Sequence, residues 1–146
     1  GGSLFEANKL TGLFVSSGAT LQVKESNGSV RPWGDARAKQ IWKKPMAVMV
    51  DRYSASASEI LAGALQEHGV ATVIGSQTFG KGSVQELVKL DEGSSLKVTI
   101  ARWFTPNGIS ISEEGLTPDI VIERTPEDRK NDLDPQLEAA LEFLRE

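Results

Sequence analysis

The stretch PMAVMVDRYSASASEILAGALQEHGVATVIG, Pro45 to Gly75, decides the fold. Its opening, Met46 to Val50, is a continuous apolar run behind a proline. A strand covered on both faces in a parallel sheet has that composition, because neither face meets water. Ser54 to Ser56 can start a helix, and Ile60, Leu61, Ala64 and Leu65 continue it up to Gly69, which can end it. Ala71 to Gly75 is again short and apolar. Strand, helix, strand in this order predicts a right-handed crossover between two parallel strands.

Upstream, Leu4, Phe5, Ala7, Leu10, Leu13 and Phe14 recur at near-helical spacing, predicting an amphipathic helix over 4–15. Thr20 to Glu25 alternates as a strand, Asn27-Gly28 is a turn signal, and a second short strand follows. Trp33 to Lys44 reads as irregular or as a short helix. Downstream, Gln77 to Ser83 is a glycine-rich loop. Val84 to Leu90 and Ser95 to Phe104 read as a hairpin around Asp91-Glu92-Gly93-Ser94, and Pro106-Asn107-Gly108 as a further turn. Ile109 to Ser112 and Ile120 to Glu123 are expected as short strands, and Thr125 to Asp132 as a polar linker. Asp134-Pro135 then opens a last helix, with Asp as N-cap and Pro at the first position. The fold class expected is α/β or mixed α+β, with helices packed on a sheet.

The 146 residues fit a single domain able to bury a core. A formal net charge of −4 argues against nucleic acid as a partner, since phosphate binding needs a basic face. No apolar run is long enough to span a bilayer. The absence of Cys excludes disulfides, a thiolate nucleophile and Cys-based zinc sites, and one histidine makes a His-rich metal site a poor fit. The expectation is therefore no metal and no cofactor. The sequence opens on Gly1-Gly2 without an initiator Met and reads as a piece of a longer polypeptide, so its compartment is not legible from its first residues.

Chemistry concentrates where the first buried strand runs into its helix. A Ser there meets free N–H groups at the helix N-terminus, which favour a developing oxyanion. Taken alone, the Ser54–Ser58 cluster reads first as ordinary helix capping, since Ser is common at helix starts. A serine nucleophile needs a base. His68 follows Ser56 by 12 residues, about 18 Å along one helix, so it is read as a helix-end residue rather than a triad member. Lys81, between Gly80 and Gly82, is the other candidate: a desolvated amine is a general base, while a solvated one is only a turn lysine. Gly75 to Lys81 also spells G-x-x-x-x-G-K. Gly82 stands where a P-loop needs Ser or Thr, and a strand follows where it needs a helix, so nucleotide binding is set aside.

Ser54-Ala55-Ser56-Ala57-Ser58-Glu59-Ile60, followed by Thr78-Phe79-Gly80-Lys81-Gly82-Ser83-Val84-Gln85, resembles the carboxyl-terminal processing, or tail-specific, serine proteases. The 25-residue interval from Ser56 to Lys81, Glu59 at plus three and Gln85 at plus four agree with that family's spacing. The segments Arg102–Gly108, Gly115–Asp119 and Asp134–Leu137 resemble its closing strands and last helix. The resemblance implies Ser56 as nucleophile, Lys81 as base, Gln85 orienting the lysine and Glu59 supporting. It implies an oxyanion hole from the N–H of Ala57 and a glycine of Gly1-Gly2, with Gly2 as the nominee. It implies the C-terminal part of a Clp/crotonase-like protease core, with a PDZ domain and the N-terminal core part outside these residues, and little proteolysis by these residues alone. Expected substrates are proteins or peptides with exposed C-terminal tails, in the cell envelope, periplasm or another extracytoplasmic setting. An open sheet edge would favour homo-oligomers. The competing reading is a non-catalytic ligand-binding or scaffold domain of the same fold, as in the retinoid-binding proteins of the eye.

Overall fold

A computed structural model describes residues 1–34 and 41–145, with the Glu92 side chain left aside. The chain is mixed α/β. In order come α1 (Leu4–Phe14), β1 (Leu21–Glu25), β2 (Val30–Trp33), β3 (Ala47–Val50), α2 (Ala57–Glu67), β4 (Thr72–Gly75), β5 (Ser83–Lys89), β6 (Ser95–Phe104), β7 (Ile120–Val121), α3 (Pro126–Lys130) and α4 (Pro135–Phe143). The expected strand-helix-strand order is present as β3-α2-β4, and β3 and β4 pair in parallel with Ala47 opposite Thr72 and Val50 opposite Gly75. β7 joins the far side of β4, giving a parallel sheet of order β3-β4-β7. The remaining strands form an antiparallel sheet of order β2-β1-β6-β5.

The helix α2 is the common core of both sheets. Ile60 packs with Leu21, Val23, Trp103 and Ile111 of the antiparallel side. Ala62 packs with Val50, Val73 and Leu116 of the parallel side. Leu65 meets Val15 after α1. Small residues at 62–64 let the helix approach its neighbours closely: a Cβ on Gly63 would already touch Thr105 and Leu116. Truncating a fully buried member such as Ile111 to Ala would cost about 2–5 kcal/mol. Gly75, at φ 136°, closes β4 where any side chain would run into the Val50 carbonyl, so the end of the parallel pair requires glycine.

Three expectations change. Residues 125–132 are not a linker: Thr125 accepts the Asp128 N–H, Asp128 accepts the Thr125 N–H and hydroxyl, and Pro126 sits at the first position, so α3 forms. Residues 109–112 contribute only a bridge from Ser110 to Phe104, because the Ile109 N–H bonds back to Thr105 in the preceding turn. β7 stops at Val121 rather than Glu123. The middle of the 33–44 segment lies outside the described residues.

Candidate active site

The loop leaving β3 is folded by its own side chains. Asp51 Oδ1 accepts the N–H groups of Tyr53 and Ser54 at 2.9 and 3.1 Å, and Ser54 Oγ accepts the Asp51 N–H at 3.1 Å. This tight turn delivers Ser56 as the N-cap of α2 at φ 59°, ψ −120°. A non-glycine residue in that region costs about 1–3 kcal/mol and persists only where its surroundings hold it. What holds it is visible: the Ser56 N–H donates to Glu59 Oε2 at 2.7 Å, and its carbonyl accepts the Ile60 N–H at 3.1 Å. The N–H of Ala57 has no acceptor among the described residues and points from the first turn of α2.

Glu59 is completely buried and does more than cap its own helix. Its Oε1 accepts the Thr78 hydroxyl at 2.6 Å and the Gly80 N–H at 2.7 Å. Its Oε2 accepts the Ser56 N–H and also the Lys81 N–H, at 3.0 Å. One carboxylate thus ties the serine loop to the lysine loop across 22 residues of sequence. Four donors and the N-terminal end of α2 compensate a buried acid that would otherwise be costly. A direct backbone bond from the Phe79 N–H to the Ser54 carbonyl, 3.0 Å, joins the same loops. Thr78 in turn accepts the Leu116 N–H at 2.6 Å, fastening the 115–117 segment. Gly80, at φ 88°, packs on Glu113 and Gly115, where an added Cβ would come within 2.9 Å of backbone.

Of the sequence-nominated residues, Ser56 and Lys81 bond this carboxylate through their backbone N–H groups. Lys81 is exposed, at the end of the loop that leads into β5. Gln85 lies on β5 opposite Thr99, at the register shift between Val84 and Gln85, and is also exposed. Among the described hydrogen bonds, none joins the Ser56 hydroxyl, the Lys81 amine and the Gln85 amide directly; the backbones of Ser56 and Lys81, not that of Gln85, are what Glu59 brings together. Of the two N-terminal glycines, Gly1 is the one against the serine loop: a Cβ there would lie 3.1 Å from the Ala55 carbonyl and 3.6 Å from Ser56 Cβ, whereas Gly2 has open space. His68 caps the opposite end of an unbroken α2, with its Nε2 2.9 Å from the Ala19 carbonyl. Thr78 went unassigned from sequence; it lies 19 positions from Glu59, and no spacing rule pairs them. A cleft of about 580 Å³ opens beside the serine loop at the C-terminal ends of the parallel strands, lined in part by Asp51, Arg52, Tyr53 and Ser76. Among the described residues no group of three or more His, Cys, Asp or Glu could hold a metal ion, and no helix is long and apolar enough to cross a membrane.

The family described as peptidase family S41 matches residues 1–122. A carboxy-terminal-processing protease of Bartonella bacilliformis is 43% identical over 125 residues, covering 85% of this chain and 29% of that protein. A tail-specific protease of Haemophilus influenzae is 40% identical over 128 residues, covering 82% of this chain and 18% of that protein. Among solved structures, a photosystem II D1 C-terminal processing protease superposes with a TM-score of 0.75 at 35% identity, over 84% of this chain and 32% of that one. The chain therefore spans less than a third of the length of these relatives. With the family match running from Gly1 through β7 and including both loops that Glu59 joins, the chain belongs to peptidase family S41.

Proposed function

We propose that this chain carries the serine and lysine of a serine endopeptidase that cleaves proteins recognised by exposed C-terminal tails. The observation that carries the reading is Ser56. It is held at a costly positive φ on a helix N-terminus by the same buried carboxylate that anchors the backbone of Lys81. In the proposed reaction Ser56 Oγ attacks the scissile carbonyl carbon, and its proton passes to the Lys81 amine, which is exposed in this chain and is desolvated by the substrate that covers it. The carbonyl oxygen becomes an oxyanion facing the free N–H of Ala57, with a second donor from the Gly1-Gly2 segment. Collapse breaks the C–N bond, and the leaving amine takes the proton from Lys81. Water then attacks the acyl-Ser56 ester with Lys81 again accepting a proton; the acyl C–Oγ bond breaks, Lys81 returns the proton to Ser56 Oγ, and the acid is released. Gln85 positions the amine and Glu59 the two loops.

The greater length of the relatives fits a chain that is one part of a larger protein, and the reading places it in the C-terminal part of a catalytic core acting outside the cytoplasm, as the resemblance of its motifs implies. A ligand-binding or scaffold role for the same fold would leave the serine unreactive. A fluorophosphonate probe applied to the full-length polypeptide that contains these residues distinguishes the readings: it is expected to label Ser56 and to spare Ser56→Ala. Equal labelling of both, or of neither, would overturn the dyad.

A further inference from the structure

The strand that leaves the candidate lysine is an edge strand. Among the described residues, in the order β2-β1-β6-β5, β5 has a neighbour on one side only, and it begins two residues after Lys81. The ladder fixes which of its backbone groups are open. The Leu90 N–H donates to the Ser94 carbonyl where the hairpin closes, which makes those residues a hydrogen-bonded pair. Alternation along an antiparallel ladder then aims the backbone groups of Val88 and Glu86 at β6 and those of Lys89, Leu87 and Gln85 outward. The bond from the Trp103 N–H to the Gly82 carbonyl at the other end keeps the same parity. An open edge is usually blunted by charge or proline. β5 carries Glu86 and Lys89, yet Leu87, Val88 and Leu96 also stay 61%, 41% and 53% exposed around the edge.

We propose that this outer edge of β5 receives an extended apolar peptide as an added strand, paired through the backbone of Gln85, Leu87 and Lys89. The inference rests on the proposed proteolysis, which needs an extended chain led to Ser56 and Lys81. The edge is continuous with the lysine loop that Glu59 fastens to the serine loop. Backbone pairing supplies affinity with little demand on sequence, and the exposed aliphatic side chains favour apolar residues in the added strand.

The test uses the 146-residue chain as its Ser56→Ala variant, so that nothing is cleaved, and a blocked, alternating Val/Ala octapeptide as probe. Amide exchange at Gln85 and Leu87 is expected to slow on peptide addition. Three forms of the peptide share side chains. The parent keeps both edges and a form N-methylated at every second residue keeps one, which is all that pairing with β5 needs, so the two are expected to bind alike. A form N-methylated at two adjacent central residues interrupts both edges and is expected to bind about tenfold more weakly, for one or two lost hydrogen bonds. Equal binding of all three forms would overturn strand addition, as would protection mapping elsewhere. Concentration-dependent protection of β5 without peptide would also overturn it, by assigning the edge to a second copy of the chain. Failure of fluorophosphonate labelling with β5 protection intact would refute the catalytic reading and leave strand pairing standing.

Discussion

Replacing Glu59 by Gln should loosen the serine loop from the lysine loop without emptying the space between them. Each carboxylate oxygen receives two donors: the Thr78 hydroxyl and Gly80 N–H at Oε1, the Ser56 and Lys81 N–H groups at Oε2. An amide must present NH2 to one of these pairs. Facing Ser56 and Lys81, it meets two N–H donors that cannot reverse. Facing Thr78 and Gly80, it meets one hydroxyl that can rotate to accept and one N–H that cannot. The second arrangement is the better one, and it leaves the Gly80 N–H buried and unpaired. That costs about 1–3 kcal/mol, or roughly 3–10 °C in Tm for a chain of this length. Glu59→Ala strands all four donors and should cost more, about 3–5 kcal/mol. Denaturant titration gives the stabilities. Fluorophosphonate labelling of Ser56, run well below both transitions, reads the geometry of the serine loop. The expected order in both assays is Glu, then Gln, then Ala. A Glu59→Ala protein within 0.5 kcal/mol of the parent would refute the claim that this carboxylate holds the site together.

Three further outcomes follow from the same geometry. Lys81→Arg should abolish turnover in a polypeptide shown to cleave substrate while leaving the fold unchanged, because a guanidinium cannot give up its proton; retained turnover would remove Lys81 as the base. His68→Ala should leave Ser56 labelling unchanged, since the imidazole sits at the far end of α2; a large loss without unfolding would contradict that placement. The hydrogen bonds of Thr125 hold the Asp128 carboxyl below its ordinary value of 3.8. A depressed acid stabilises the fold above the unfolded value and stops doing so as pH falls through the folded one. Local protection of α3 amides should therefore be constant from neutral pH down to that value and fall below it. Thr125→Ala should remove that dependence.

How much was legible from sequence divides along the range of the interactions. The crossover, the hairpin and the last helix are written locally, in the apolar run at 46–50, the helical spacing of Ile60 to Leu65 and the Asp134-Pro135 start. α3 was equally local but missed, because its polar residues hid a capping box whose Thr and Asp are three apart. The failures beyond that are of long range. The spacing of Ser56, Glu59 and Lys81 matched a family, yet nothing local says that Glu59 receives donors from 78, 80 and 81. A Glu three residues after an N-cap Ser reads as half of a capping box, worth only a fraction of the helix.

That double use explains why the site can tolerate strain. A capping Glu on an exposed helix would leave Ser56 free to relax to an ordinary extended N-cap. Here the same oxygen that accepts the Ser56 N–H also accepts the Lys81 N–H, so relaxing one loop would strip a partner from the other. Burial raises the stakes, since no water replaces a lost donor. The Thr78 bond to Leu116 and the Gly80 packing on Glu113 and Gly115 anchor the lysine side to the body of the protein. The positive φ of Ser56 is therefore the lower-energy choice for the assembled site, although it is unfavourable for the residue alone. Thr78→Val tests this coupling from the lysine side. It keeps the shape, removes the hydroxyl between Glu59 and Leu116, and is expected to slow Ser56 labelling although Thr78 bonds no atom of Ser56. Thr78→Ser, which keeps the hydroxyl, should restore most of the rate. If both variants label as fast as the parent, the two loops are held independently and the strain at Ser56 needs another cause.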